Sequence, residues 1–152
     1  MKIQIENRQT HIKIQRHKIR NTVLRILRIL DCPDKEISIS FVDDENIKQL
    51  NKQYLGRNRD TNVLSFSLQE GECSDINPQI LGDIIISAQT AQRDAIKGKL
   101  TIEQEIDFLI IHGILHLLGY NHENTTIKET NKMRQKEKKL FDKINCCNKM
   151  LI

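Results

Sequence analysis

Tryptophan is absent from the 152 residues, and two Tyr with four Phe bring the aromatic share to only 4%. Aliphatic side chains must therefore fill whatever core the chain builds. No apolar run is long enough to cross a bilayer: the longest, Ile106 to Leu118, falls short of about 18 residues and is broken by His112 and His116. Met1 to Gln15 alternates Ile with Lys, Gln, Glu and Arg, so the continuous apolar stretch of a signal peptide is missing as well. Cysteine is sparse and unpatterned. Cys32, Cys73, Cys146 and Cys147 form no Cys-x-x-Cys pair, which argues against a thiolate zinc site and a disulfide framework, and for reduced thiols in a cytoplasmic protein. Internal repeats and low-complexity tracts are missing too.

What is present is the composition of a globular domain, 38% hydrophobic and 29% charged. The length suits one domain able to bury roughly 68–70% of the surface its unfolded chain would expose. A formal charge of +4 and a pI near 8.9 favour a polyanionic partner through summed potential and counterion release, without identifying one.

Hydrophobic periodicity divides the chain into strands and helices. Ile3 and Ile5 alternate with polar residues over Lys2 to Glu6, predicting a short strand. From Gln15 to Leu30, apolar residues such as Ile19, Val23, Ile26 and Leu27 recur at helical spacing among Arg16, Lys18, Arg20, Arg25 and Arg28, which describes a basic amphipathic helix. Ile37, Ile39 and Phe41 mark a strand over Glu36 to Val42; an aspartate then caps a helix over about Glu45 to Tyr54 that buries Ile47 and Leu50. Strands follow at Asn62 to Leu68 and Leu81 to Ser87, the second with an Ile84-Ile85-Ile86 run that suggests burial on both faces. Helices are expected at about Ala88 to Lys97, Thr101 to Leu118 and Thr126 to Ile144, with Ile127, Met133, Leu140 and Phe141 on the buried stripe of the last. Residues 1–144 then form one layered sheet-and-helix domain, and 145–152 a loose tail.

Chemistry concentrates at His112-Gly113-Ile114-Leu115-His116-Leu117-Leu118-Gly119-Tyr120-Asn121-His122, which holds three of the five histidines. A helix advances about 100° and 1.5 Å per residue, so His112 and His116 stand some 40° apart in azimuth and about 6 Å apart along the axis, close enough to meet one ion. Gly119 can adopt the left-handed conformation that ends helices, folding His122 back towards the other two. Three imidazoles plus a water are the ligand set of a catalytic zinc; structural sites generally close all four positions with protein. A metal also gives partners to imidazoles set among Ile and Leu, where they would otherwise be costly to bury. His11 and His17, isolated in sequence, read as ordinary surface or core histidines.

The spacing His-x3-His-x2-Gly-x2-His is shared with metzincin metalloproteases, in which a glutamate general base follows the first histidine. That position is Gly113, which cannot accept a proton, so peptidase chemistry lacks its base. The metal alone can still lower the pKa of bound water from 15.7 to about 7 and polarise a phosphoryl oxygen, chemistry suited to phosphodiester hydrolysis. An all-imidazole set accommodates Zn, Ni, Cu or Fe. Glu105 shares the histidines' azimuth but sits about 10 Å back along the axis.

From about Glu36 to Leu140 the sequence resembles the YbeY family. Leu50-Asn51 is followed by Thr61-Asn62-Val63-Leu64-Ser65-Phe66, then Leu81-Gly82-Asp83-Ile84 with Ser87, the three-histidine motif, and Met133 with Glu137 on the last helix. The resemblance implies an α+β fold, a mixed sheet of about four strands packed by about five helices, with a Zn2+ site of His112, His116 and His122 at the end of a central helix. It implies a cytoplasmic endoribonuclease that prefers single strands, acting with the small ribosomal subunit on the rRNA precursor, notably at the 16S 3′ end, and in ribosome quality control; neither DNA nor a membrane is an expected partner. Two positions depart from the family pattern. Leu55 stands where an arginine commonly precedes the loop glycine, and Arg57 and Arg59 are the substitutes available to clamp phosphate. Asn121 replaces the aspartate that usually precedes the third histidine and carries no charge with which to tune a ligand. Two other readings fit the same residues: a ribosome assembly factor with a mainly structural metal, or a hydrolase of a small substrate.

Overall fold

The computed structural model describes residues 3–56, 61–67, 79–120 and 126–150, the last five as backbone alone. Period-two alternation yields four strands: β1 (Ile3–Asn7), β2 (Glu36–Val42), β3 (Val63–Ser67) and β4 (Ile80–Ser87). They form a mixed sheet in the order β1-β2-β4-β3, parallel across the first three and antiparallel between β3 and β4. The register aligns Ile3 with Ile37, Ile5 with Ile39, Ile39 with Ile84 and Phe41 with Ile86, so aliphatic side chains cover one face in rows. The pairing of β2 with β4 has one irregularity. Between Glu36 and Ile37 the pairing skips Leu81, and the next residue, Gly82, has φ +147°. A Cβ there would meet the Phe66 carbonyl oxygen at 2.1 Å, so this bulge requires glycine.

Among the described residues five helices accompany the sheet, α1 (Arg16–Ile29), α2 (Asp44–Leu55), α3 (Ala88–Lys97), α4 (Ile102–Leu117) and α5 (Ile127–Met150), the last packed on α1 and α4. The main core joins the aliphatic face of the sheet to α1, α4 and α5 through Val23, Ile26, Ile110, Ile114, Met133 and Leu140, all essentially inaccessible. On the opposite face a smaller cluster of Val42, Ile47 and Leu64 holds α2. Helix ends follow local chemistry. Asp43 caps α2 by accepting from Asn46 N–H at 2.8 Å, as the sequence suggested. Thr101 and Gln104 cap α4 reciprocally, each side chain accepting the other's backbone N–H at 3.1 and 3.0 Å.

Several expectations change, Leu50 and Phe141 among them, since both are only partly buried. Ile85 is only partly buried, because α2 covers its face of the sheet less completely than the other helices cover theirs. Ile127 is 81% exposed; at 100° per residue it stands about 120° away from the stripe of Met133, Leu140 and Ile144. Past Ile144 the helix goes on, and α5 runs through the first six residues of the expected tail.

Candidate metal centre

The two described histidines of the motif project from the C-terminal half of α4. They reach one place because i and i+4 share a helix face: their ring centroids are 4.5 Å apart and their Nε2 atoms 3.0 Å apart. The helix ends as the glycine suggested. Gly119 has φ +99°, its N–H donates to the His116 carbonyl at 3.0 Å, and Tyr120 N–H donates to the Leu115 carbonyl at 3.0 Å, the paired bonds of a Schellman end. The chain therefore turns sharply within three residues of His116. His122 and Asn121 lie outside the described residues, as do Arg57 and Arg59.

Gly113 faces the sheet, not the histidine pair. A Cβ there would stand 2.8 Å from Ile84 Cδ1, so the missing side chain lets α4 approach β4 closely. Loss of a glutamate at this position is thus also a packing requirement. Ser67 Oγ donates to the Leu117 carbonyl at 3.3 Å and ties the end of β3 to the histidine end of α4.

A carboxylate does approach the pair, and it comes from α5. Glu137 Oε1 lies 2.7 Å from His112 Nδ1, and the residue is only 7% exposed. Glu137 falls on the apolar stripe of α5 between Met133 and Leu140, so the helix that closes the core also carries an acceptor to the ring. Phe108 stacks against His112 at 6.4 Å and meets Phe141 edge-on at 6.0 Å, walling one side of the imidazole. Sequence reading missed this role. The available signal was a glutamate on a buried stripe, since such a carboxylate is rarely buried without a partner.

The donor set fits a metal ion. With Nδ1–H directed at Glu137, His112 keeps the Nε2 lone pair for coordination, and a carboxylate holding the far nitrogen is the usual support of a ligating imidazole. Two nitrogens each about 2.0–2.1 Å from one tetrahedral ion stand about 3.3 Å apart; the observed 3.0 Å is close to that bite. Both histidines are half-buried rather than enclosed, so the pair opens towards solvent. Among the described residues no third His, Cys, Asp or Glu completes a cluster.

Other polar residues singled out in the sequence lie elsewhere. Ser87 caps α3 and donates to Asp44 Oδ1 at 2.6 Å; Thr90 donates to the same oxygen at 2.6 Å, and Arg93 pairs with Oδ2 at 2.8 Å. Partial burial would raise the Asp44 pKa, but these hydrogen bonds and the Arg93 charge together hold it below the usual carboxylate range. The knot joins α2 to α3 and is structural. Asp83 sits on the sheet face opposite Ile84; desolvation raises its pKa against a Ser38 hydrogen bond that lowers it. Glu105 is buried near Asp94, where desolvation and then the neighbouring charge push its carboxyl up. Leu55 is 49% exposed at the end of α2, next to Gly56, which closes the helix at φ +69°.

The family model for Endoribonuclease YbeY matches residues 4–145. The Endoribonuclease YbeY of Syntrophus aciditrophicus is 56% identical over 141 residues, 93% of this chain and 88% of that protein. Its counterpart in Syntrophotalea carbinolica is 48% identical over 142 residues, 93% of this chain and 95% of that protein. The solution structure of TM1509 from Thermotoga maritima superposes with a TM-score of 0.66 at 29% identity, covering 93% of this chain and 88% of that one. A match of this extent takes in the sheet, every helix that packs on it and the histidine-bearing α4, and on that ground the chain belongs to the YbeY endoribonuclease family.

Proposed function

We propose that this protein is a metal-dependent endoribonuclease that cleaves single-stranded segments of ribosomal RNA precursors, with His112, His116 and His122 as the ligands of one zinc ion. The observation that carries the reading is the convergence of His112 and His116 Nε2, 3.0 Å apart, with Glu137 engaged at the far nitrogen of His112. When bound, the ion supplies Lewis acidity towards a phosphoryl oxygen and an acidified water. The chain does the rest. Glu137 holds the His112 ring in the tautomer whose Nε2 is free of its proton, and Phe108 restricts the tilt of that ring. Gly113, without a carboxylate, leaves no peptidase-type base beside the first histidine.

Arg57 and Arg59 are proposed as the phosphate contacts in place of the family arginine replaced by Leu55, because a guanidinium can grip two phosphate oxygens at once. Small-subunit rRNA, its 3′ end in particular, is the proposed substrate, with the small ribosomal subunit as partner and the cytoplasm as the place of action. No helix among the described residues is long and apolar enough to cross a membrane. The test is cleavage of a labelled single-stranded RNA by zinc-loaded protein. His116→Ala should lower the rate at least about 100-fold, the scale on which a lost metal ligand acts; equal trace activity in the two proteins would reject the nuclease reading.

A further inference from the structure

A cleft of about 960 Å³ opens between α1, the segment leading into it, and the first turns of α4. It lies at the opposite end of α4 from the histidines: Asp107, on its wall, precedes His112 by about 7.5 Å along the axis and faces about 140° away. Its volume falls within the range of small-molecule sites. The floor is apolar, built from Ile14, Ile19, Leu24 and Ile106, and the rim carries four cations, Lys13, Lys18, Arg25 and Arg28. Among the described residues none of the four forms an ion pair or a side-chain hydrogen bond. Rim cations on the solvated face of a helix could stand alone without purpose, but Asp107 is different. It is only 9% exposed, lines the cleft, and has no hydrogen-bond or ion-pair partner among the described residues.

A buried carboxyl without a donor is costly to keep, so a group that donates to it inside the cleft would relieve a standing penalty. The other features define that group's surroundings: a flat apolar body against the isoleucines and a negative charge among the rim cations. Glu103 at the rim and Asp107, once ionised, oppose the anion, but the four cations outnumber the two carboxylates.

We propose that this cleft is a nucleotide-binding site separate from the histidine pair, holding one nucleotide of an RNA strand with its base on the isoleucine floor, an exocyclic amino group donating to Asp107, and phosphate oxygens on Lys18, Arg25 and Arg28. An aspartate accepting from the N4 amino group of cytosine is an established mode of base reading, whereas uracil presents a carbonyl there. Single-stranded RNA offers its base edges and stacking faces for such capture. Burial raises the Asp107 pKa to about 7, with Arg25 lowering it and Glu103 raising it, so the carboxylate form that prefers the amino group prevails above neutrality. The assignment of the nucleotide to an RNA strand rests on the function proposed above; nucleotide binding by the cleft does not.

The experiment is calorimetric titration of the whole protein at pH 8 with CMP and UMP, which have no internucleotide bond to cleave, followed by a cytidine hexamer. CMP should bind about tenfold tighter than UMP, the hexamer tighter than CMP, and Arg25→Ala should weaken both mononucleotides several-fold. Asp107→Asn, close to isosteric and able to meet either base, should bring CMP and UMP to within about threefold of each other. Equal affinities in the wild type, discrimination that survives Asp107→Asn, or no binding of either nucleotide at millimolar concentration would overturn the site. A hexamer no tighter than CMP would overturn the strand assignment. The outcomes separate from those of the cleavage test: His116→Ala should bind CMP as the wild type does, and a protein that binds CMP but cleaves no RNA would sink only the nuclease reading.

Discussion

At the scale of single residues the centre depends on one hydrogen bond that joins two helices. The Glu137 carboxylate accepts from His112 Nδ1 at 2.7 Å in a nearly closed environment, which selects the tautomer able to coordinate through Nε2. At the zinc site proposed above, replacing Glu137 with Ala should therefore weaken zinc binding by about 10–100-fold, measured by competition with a chromophoric chelator, while Gln, which retains an acceptor oxygen, should recover part of the loss. A Glu137→Ala protein with wild-type zinc affinity would show that the bond only packs α5 against α4. The residues visible in the sequence were those whose spacing has a helical meaning: His112, His116 and the Gly119 turn followed from 3.6-residue geometry. Glu137 did not, because its partner is 25 positions away and only the packing of α4 on α5 brings them together.

At the scale of elements, two glycines govern how α4 and β3 sit on β4, and they differ in what they tolerate. A Cβ at Gly82 would collide with a backbone carbonyl at 2.1 Å, and φ +147° disfavours any L side chain. A Cβ at Gly113 would press on Ile84 Cδ1 at 2.8 Å, the movable end of a side chain, at a helical position where alanine is intrinsically favoured by about 1 kcal/mol. Gly82→Ala is thus expected to lose more than about 3 kcal/mol of stability, and Gly113→Ala no more than about 2 kcal/mol, in urea denaturation; the reverse ranking would mean that the bulge is softer than its contacts imply. Element boundaries were largely legible in the sequence, with α3 matching at both ends and β2 likewise. Alternation and helical periodicity carry that information directly. Strand order does not appear in a periodicity, so the insertion of β4 between β2 and β3 emerged only from the tertiary fold.

At the scale of the whole molecule, stability should depend on pH in an unusual direction near neutrality. Asp107, raised by burial to about 7, binds its proton in the folded state at pH values where the unfolded chain, at the ordinary value of 3.8, has lost it. Between those values the folded state holds more protons, so stability falls as pH rises, by at most about 4 kcal/mol in total. Glu105 and Asp83, also raised, add the same sign, whereas the lowered Asp44 contributes stability that is lost only on acidification. Asp107→Asn should flatten the decline, making the variant more stable than the wild type at pH 8 and similar only below about pH 4; parallel curves from urea titrations would contradict the buried carboxyl. The helix that brings Glu137 to His112 has a further consequence in time. Glu137 follows the histidines in the chain, so the pair is made before the acceptor that orients it and waits for α5 to fold against α4. On the metal site proposed above, full affinity should therefore arrive only once α5 has docked on α4 and Glu137 has reached His112.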